Sequence, residues 1–369
     1  MPCKFPRKFV GFMVILVFLG FVPLCKASLS PRGPIHISSN ADFTAANGVT
    51  GGSGTPTDPY IIEGWEITED YGVDYGIWLE NTDAYVVIRN CLIIPPYTGI
   101  RLEHVANVLI ENITINGGHQ GLYVYDSVNV VVSKSEIAHI IGDAVELHLS
   151  TNIRVENCTI GDGRDHSLYM KSVNSTVIRN CEIYGSLYGV YAESSTDISI
   201  NNCNIHDNDG DGVYFYATIN NTILNCLIHS NNHGILLDSS DYITVEYCDI
   251  KNNSLGIWLN PAFNCEIHYN NFINIHQNAQ DDGQHNNWDR NYWSDYSGVD
   301  ANNDGYGDTA YTIAGSANAK DNTPLMQIIP EFHNPSILLP ITLTLSGTIH
   351  LLKKRLKLSS KPLKKNCGS

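Results

Sequence analysis

A five-residue pattern, glycine–aliphatic–x–aliphatic–x, returns through the middle of the chain at a nearly constant interval. It opens as Gly76-Ile77-Trp78-Leu79-Glu80 and recurs as Gly99-Ile100-Arg101-Leu102-Glu103 and Gly121-Leu122-Tyr123-Val124-Tyr125. It returns again at Ala144, Ser167, Gly189, Gly212, Gly234 and Gly256, with intervals of 23, 22, 23, 23, 22, 23, 22 and 22 residues. A fixed period of this length marks a solenoid, in which each unit buries its apolar face only against its neighbours. Each unit holds three short segments that alternate with period two, such as Val190/Ala192, Ile198/Ile200 and Cys203/Ile205, and that alternation is strand patterning. No stretch is long or periodic enough for a helix. Three strands per coil of about 22 residues predict an all-β parallel β-helix of about nine to ten rungs, with the repeats over 76–276. A leucine-rich repeat shares the spacing Ile198-x-Ile200-x-x-Cys203-x-Ile205 but leaves the Gly-Ile-x-Leu strand without a role.

Aligned by this period, one column carries Asn112, Asn157, Asn180, Asn202 and Asn225, with Asn90 one residue out of step. Asparagine tolerates left-handed backbone and bonds to its own kind, so the column predicts a stacked turn. The next column carries Cys158, Cys181, Cys203, Cys226 and Cys248. Rungs stack about 4.8 Å apart, so these thiols form a buried pile that cannot pair completely into disulfides. They read as small core residues filling a corner rather than as soft-metal ligands.

The ends of the chain differ from its middle. Lys4, Arg7 and Lys8 precede the apolar run Phe9–Leu24, so residues 1–27 read as an export signal. Residues 335–352 carry no charge and are followed by Lys353, Lys354 and Arg355, as a membrane span with a basic inner tail (353–369) would be. The topology that follows puts the acidic middle outside the cell. Between those ends, 11 Lys+Arg face 38 Asp+Glu, a net of −27. Nucleic acid and anionic lipid both need a basic face, so neither suits the middle as a partner. Residues 28–75 read as an N-terminal cap with a first strand, and a short helix is expected within Ser38–Asn47. The aromatic, Asn- and Asp-rich segment 277–329 reads as a C-terminal cap.

These residues resemble a known group. The rungs, the opening Gly51-Gly52-Ser53-Gly54-Thr55 with Asp58-Pro59-Tyr60-Ile61-Ile62-Glu63-Gly64-Trp65, and the closing Asn287-Trp288-Asp289 with Asn291-Tyr292-Trp293-Ser294-Asp295-Tyr296 are similar to archaeal surface proteins of the NosD type. That resemblance implies a right-handed parallel β-helix within the carbohydrate-binding and sugar-hydrolase β-helix group. The NosD name comes from copper delivery, but the chain has only four Met and no Met- or His-rich run.

On the first strand of each rung, one outward column reads Trp78, Arg101, Tyr123, Glu146, Tyr169, Tyr191, Tyr214, Leu236 and Trp258. The next reads Glu80, Glu103, Tyr125, His148, Lys171, Glu193, Tyr216, Asp238 and Asn260. Flat rings beside carboxylates suit a glycan platform, in which rings stack on sugars and carboxylates take hydroxyls. The same rings also suit a ladder that stabilises the sheet itself. The third turn carries Asp165, Asp207 and Asp209, with His206 and His229 on neighbouring rungs, close enough to share a metal. Pectate-lyase-like β-helices place their sites in this groove. By that analogy Lys171 beside His148 and Glu193 is a candidate base, with Asp165, Asp207 and Asp209 as charge or metal partners. Asp300-x-Asn302-x-Asp304-Gly305-Tyr306-Gly307-Asp308 spaces oxygen ligands as a calcium loop does, with the Tyr306 carbonyl as a further ligand. The expectation is therefore an exported, membrane-anchored surface protein that binds glycan or cell-envelope polymer. A polysaccharide lyase or glycosidase working in the same groove, and a copper-binding accessory protein, are the alternatives.

Overall fold

The computed structural model describes residues 29–68 and 72–330. The expected export signal, membrane span and basic tail lie outside the described residues. Among the described residues, no helix is long and apolar enough to cross a membrane.

Each coil lays one strand on each of three parallel sheets. In one coil, Tyr188–Glu193 lies on sheet 1, Thr196–Asn201 on sheet 2 and Asn204–His206 on sheet 3, before Asp211–Tyr216 returns to sheet 1. Register never slips. Tyr169 sits beside Tyr191 and Tyr191 beside Tyr214 on sheet 1, and Ile183, Ile205 and Ile228 lie in line on sheet 3. The alternation read in the sequence fixes this, because a slip of one residue would turn every aliphatic side chain to solvent. Ile67, Ile93, Ile115, Ile137, Ile160, Ile183, Ile205, Ile228 and Ile250 form one sealed column, each at most 1% exposed. Full burial of one such side chain is worth roughly 1.5–3 kcal/mol, so each coil is held mainly by its contacts with the coils above and below. The glycine that opens most sheet-1 strands answers a close approach. A Cβ on Gly121 would lie 2.3 Å from the Ala144 carbonyl oxygen, and one on Gly189 2.5 Å from that of Gly212.

The corners are built from side-chain ladders. Asn112 (φ 51°), Asn157, Asn180 and Asn202 all adopt left-handed backbone, and Asn202 Nδ2 donates to Asn180 Oδ1 at 2.7 Å. Asn90 is in step with this column. Its backbone is also left-handed, and Asn112 Nδ2 donates to its Oδ1 at 2.7 Å. The extra residue that displaced it in the alignment falls earlier in that coil, between Gly76 and Asn90. The thiol column is buried as expected, and none of the seven described cysteines is in a disulfide. Burial pushes the Cys203 and Cys248 thiols well up. A second ladder, of inward-facing asparagines, lines the corner between sheets 3 and 1. Asn208 Nδ2 donates to Asn231 Oδ1 at 2.9 Å, and Asn231 Nδ2 donates to Asn253 Oδ1 at 3.1 Å. These side chains also accept backbone N–H groups that the curve of the chain would leave without a partner.

The solenoid reaches into both segments read as caps. Ser30–Arg32 joins sheet 3, Ile35–Ile37 joins sheet 1 and Tyr60–Glu63 joins sheet 2, so residues 30–67 complete a coil of their own. The expected helix in Ser38–Asn47 is two short 3-10 turns, Asn40–Asp42 and Ala45–Asn47. At the other end, Gln277–Asp281, Asn287–Asp289 and Tyr292–Trp293 form one more coil. That last coil is closed by a buried carboxylate. Asp321, fully buried, accepts the Asn291 N–H at 2.9 Å, the Trp293 Nε1–H at 3.0 Å and the Arg290 and Thr323 N–H groups at 3.1 Å.

Candidate functional site

Sheet 1 presents three outward columns. The central one runs His36, Trp78, Arg101, Tyr123, Glu146, Tyr169, Tyr191, Tyr214, Leu236, Trp258; from Trp78 on it is the column of the sequence alignment, and His36 adds one coil before it. The rings do not lie flat on the sheet. Tyr169 and Tyr191 stack on each other with centroids 5.4 Å apart and 17° between planes, and Tyr191 and Tyr214 at 4.8 Å and 30°. His166 covers the Tyr169 ring at 5.0 Å and 22°. Trp78 is covered by His36 on one face at 4.4 Å and approached by the Arg101 guanidinium at 4.9 Å. Tyr123 also lies 5.5 Å from Arg101, and Trp258 meets His233 edge-on at 5.7 Å. The faces of the tyrosine row are therefore taken up by neighbouring rings, and the row is a ladder. The expectation of sugars stacking on flat rings does not hold for it. What it offers to a ligand is ring edges and hydroxyls.

Those hydroxyls stay protonated. Burial first, then Glu193 and Glu146, push the Tyr169 phenol up to about 12. Burial followed by Glu193 raises Tyr191, and burial followed by Asp238 raises Tyr214. Each phenol is thus a donor beside an acceptor. The Tyr191 hydroxyl lies 3.3 Å from Glu193 Oε2, and that of Tyr214 lies 3.4 Å from Asp238 Oδ2.

Of the residues expected to do chemistry, the structure brings Lys171, His148 and Glu193 together as cross-strand neighbours, and Lys171 Nζ forms an ion pair with Glu193 Oε1. Asp165, Asp207 and Asp209 lie elsewhere. They sit in the turns between sheets 3 and 1, at the opposite edge of sheet 1. Asp165 is six residues from Lys171 along an extended strand, about 20 Å away. The proposed base and its acidic partners do not form one cluster.

Sequence reasoning missed a row of histidine–carboxylate pairs on this face. His166 Nδ1 lies 2.6 Å from Asp143 Oδ1, with side chains 18% and 17% exposed. His148 Nε2 lies 2.6 Å from Glu146 Oε1, His233 Nδ1 2.6 Å from Asp211 Oδ1 and His36 Nε2 2.8 Å from Glu80 Oε1. Tyr169 stands between two of them, with His166 stacked on it and His148 edge-on at 5.4 Å. The available signal was the register. Asp143 and His166 stand 23 residues apart, one coil, but lie at the turn-side ends of their strands and so fell outside the two columns read.

His206 and His229 do stack, with ring centroids 5.0 Å apart and 3° between planes. They are on sheet 3, facing away from the tyrosine row. The histidine ring nitrogens bind a metal in the ring plane at about 2.1 Å, so two parallel rings 5.0 Å apart do not converge on one ion. His206 Nδ1 is instead 2.8 Å from Asp207 Oδ2, and its Nε2 is 3.5 Å from Glu182 Oε1. Burial opposes its protonation, but these two carboxylates outweigh burial and raise its pKa. In the loop at Asp300–Asp308, the acidic side chains accept the loop's own N–H groups. Asp300 takes those of Asp304 and Gly305 at 3.1 and 2.9 Å, Asn302 takes that of Asp304 at 3.0 Å, Asp304 takes that of Tyr306 at 3.0 Å and Asp308 takes that of Ala301 at 2.8 Å. Among the described residues, no three His, Cys, Asp or Glu side chains are grouped to hold a metal ion.

Two family models match the chain, one described as a right-handed β-helix region over residues 165–291 and one as periplasmic copper-binding protein (NosD) over residues 59–218. With the three-sheet coil, they support a NosD-type right-handed β-helix of about ten turns. Among the described residues the donors do not fit a copper centre: the His206 and His229 rings are parallel and 5.0 Å apart, and the described thiols are sealed in the core, with those of Cys181 and Cys203 turned to backbone carbonyls. No curated protein sequence matches this chain. Solved structures with the same fold include the DFA-IIIase of Arthrobacter chlorophenolicus A6 in complex with GF2, at 12% identity and a TM-score of 0.55, covering 72% of this chain and 73% of that one. ORF18 of Geobacillus virus E2 shares 12% identity with a TM-score of 0.53, covering 76% of this chain and 64% of that one. The A-module of the mannuronan C-5 epimerase AlgE6 of Azotobacter vinelandii shares 13% identity with a TM-score of 0.47, covering 63% and 76%.

Proposed function

We propose that the protein is an exported β-helix that holds a carbohydrate polymer along sheet 1 and reads it by hydrogen bonds rather than by ring stacking. The observation that carries this reading is the row Tyr169, Tyr191 and Tyr214, whose protonated hydroxyls stand beside the carboxylates of Glu193 and Asp238. A donor next to an acceptor, at Tyr191–Glu193 and again at Tyr214–Asp238, matches the paired hydroxyls of a polyol chain. Rungs repeat every ~4.8 Å, close to the length of one pyranose unit, so a polymer lying along the solenoid axis meets the tyrosine hydroxyls in step with its sugars. Trp78, Tyr123 and Trp258, with Glu80 and Glu103, extend the face toward both ends.

The test is binding of the full-length chain to a panel of polysaccharides, with Tyr191→Phe as the probe variant. That substitution removes one hydroxyl and leaves the ring stack intact. Loss of a hydrogen bond beside a carboxylate predicts about a tenfold weaker Kd. Unchanged affinity in Tyr191→Phe, with binding retained, would remove the tyrosine row from the reading.

A second reading has its own observation, the two histidine–carboxylate pairs on either side of Tyr169. An imidazole oriented by a carboxylate is a general acid–base group, and it stands here where a bound chain would pass. In this reading the protein is a polysaccharide lyase or glycosidase. It is tested by following new reducing ends and unsaturated products in wild type and His166→Gln. Turnover that His166→Gln abolishes supports it, and turnover that survives the substitution removes His166 from the mechanism.

A further inference from the structure

The charge of this face selects among carbohydrates. Sheet 1 carries two cations in its outward columns, and each is already closed by a carboxylate of its own: Arg101 NH2 lies 2.7 Å from Glu103 Oε1, and Lys171 pairs with Glu193. Among the described residues, Glu80, Asp143, Glu146, Asp211, Asp238 and Asp282 form no ion pair with a Lys or Arg. Their partners are neutral or titratable: histidines for the first four, the Tyr214 and Ser239 hydroxyls for Asp238, and the Trp258 indole with Gln280 for Asp282. Asp282 is held as the anion, its carboxyl lowered to about 2 first by Gln280 and then by the Ser316 N–H. An anionic polymer laid on this row meets uncompensated like charge at about every second coil, and a neutral one leaves the row uncompensated.

The spacing is specific as well. In the column nearest sheet 2, Glu193, Asp238 and Asp282 recur at every second coil, with Tyr216 and Asn260 between them. Two coils span about 9.6 Å. A β-1,4-linked pyranose chain turns over at each linkage, so it presents the same ring substituent on the same side at every second sugar. A chain in register with the tyrosine hydroxyls therefore brings one substituent to each of these carboxylates.

We infer that the polymer this face takes is a β-1,4-linked amino sugar, held through its protonated amines, rather than a polyuronate; the inference rests on the reading of sheet 1 as a glycan face. Asp238 and Asp282, which share no ion pair with Lys or Arg, accept the ammonium groups, and the oxygens of Tyr191 and Tyr214, whose protons point to Glu193 and Asp238, accept from the remaining hydroxyls.

The experiment compares three oligomers of matched length on the full-length chain in calorimetric titration without divalent ions: β-1,4-glucosamine, its N-acetylated form and oligogalacturonate. The expected order is glucosamine, then N-acetylglucosamine, then galacturonate, with at least a tenfold step in Kd at the first interval. Raising the salt to about 1 M, where the screening length is about 3 Å, should erase most of that step. Asp238→Asn combined with Asp282→Asn should lower glucosamine affinity by a larger factor than that of the N-acetylated oligomer, whereas Tyr191→Phe should weaken both alike. Equal affinity for the two glucosamine forms, with Tyr191→Phe weakening both, overturns the amine assignment and leaves the glycan face standing. Galacturonate binding as tightly as glucosamine, or tightly once calcium is added, overturns it in favour of an acidic or cation-bridged polymer. Binding of none of the three, with none on a wider panel, overturns the glycan face itself.

Discussion

Asp321 is the most exacting point in the fold, and replacing it isolates what closes the open end of the solenoid. Its two oxygens take five N–H donors, and the Asn291 backbone N–H and the Trp293 indole lie in residues at most 1% exposed. In Asp321→Ala those two donors have neither a protein acceptor nor water. At roughly 1–3 kcal/mol for each stranded buried donor they lose about 2–6 kcal/mol. Removing a buried carboxylate returns part of this, because its desolvation is no longer required. A net loss of about 3 kcal/mol is expected for the last coil. Asp321→Asn keeps the acceptor that faces Arg290 and Thr323, or the one that faces Asn291 and Trp293, but not both, and should lose about 2 kcal/mol. The readout is hydrogen exchange of a peptide spanning 287–296 against one spanning 188–193. A local loss of about 3 kcal/mol speeds exchange of the first by roughly two orders of magnitude and leaves the second unchanged, because repeats couple mainly to their neighbours. Exchange within threefold of wild type at 287–296 would refute the argument that this carboxylate closes the end. Equal loss in both peptides would refute its local nature.

Two further outcomes follow from groups away from sheet 1. The pKa of His206 is raised in the fold by Glu182 and Asp207 against the opposing effect of burial, so its contribution to stability is present below the unfolded value and lost as pH rises through the folded one. The stability difference between wild type and His206→Gln, measured by urea titration, should be larger at pH 5.5 than at pH 8, and a difference that grows with pH contradicts the assignment. The Asp300–Asp308 loop is closed by its own N–H groups, so millimolar calcium is expected to leave the melting temperature unchanged. A rise abolished by Asp304→Asn would restore the calcium reading.

The coil was legible because its cause is local. Inward aliphatics at every second position, repeated at 22 or 23 residues, leave one way to bury them, and the outward columns follow from the same count. Three things were not. The orientation of Tyr169, Tyr191 and Tyr214 depends on cross-strand packing: a column of tyrosines is equally compatible with rings lying flat or stacked, and neighbours one strand spacing apart settle it as a stack. The His166–Asp143 pair lay outside the columns because both residues stand where turn becomes strand, and that boundary is the least certain part of any periodic reading. The inward asparagines Asn208, Asn231 and Asn253 stood out in neither column of the periodic reading. Periodicity sorts side chains by polarity, and here a polar side chain faces the core because the corner leaves backbone N–H groups that need a side-chain acceptor, the Asn amides or, at Ser186, a hydroxyl.

The unslipping register of sheet 1 also makes the molecule a measuring stick. Because every coil adds the same rise and presents its three outward positions in the same places, on the proposed reading of sheet 1 as a glycan face the count of coils fixes how many sugars are engaged at once. Duplication of a 22-residue segment would lengthen that reach by one sugar and alter no existing contact, and deletion would shorten it in the same way. On that reading, whole-coil gain and loss would tune a protein of this build to polymers of different length, while the identity of the residues in one coil would set which polymer is held.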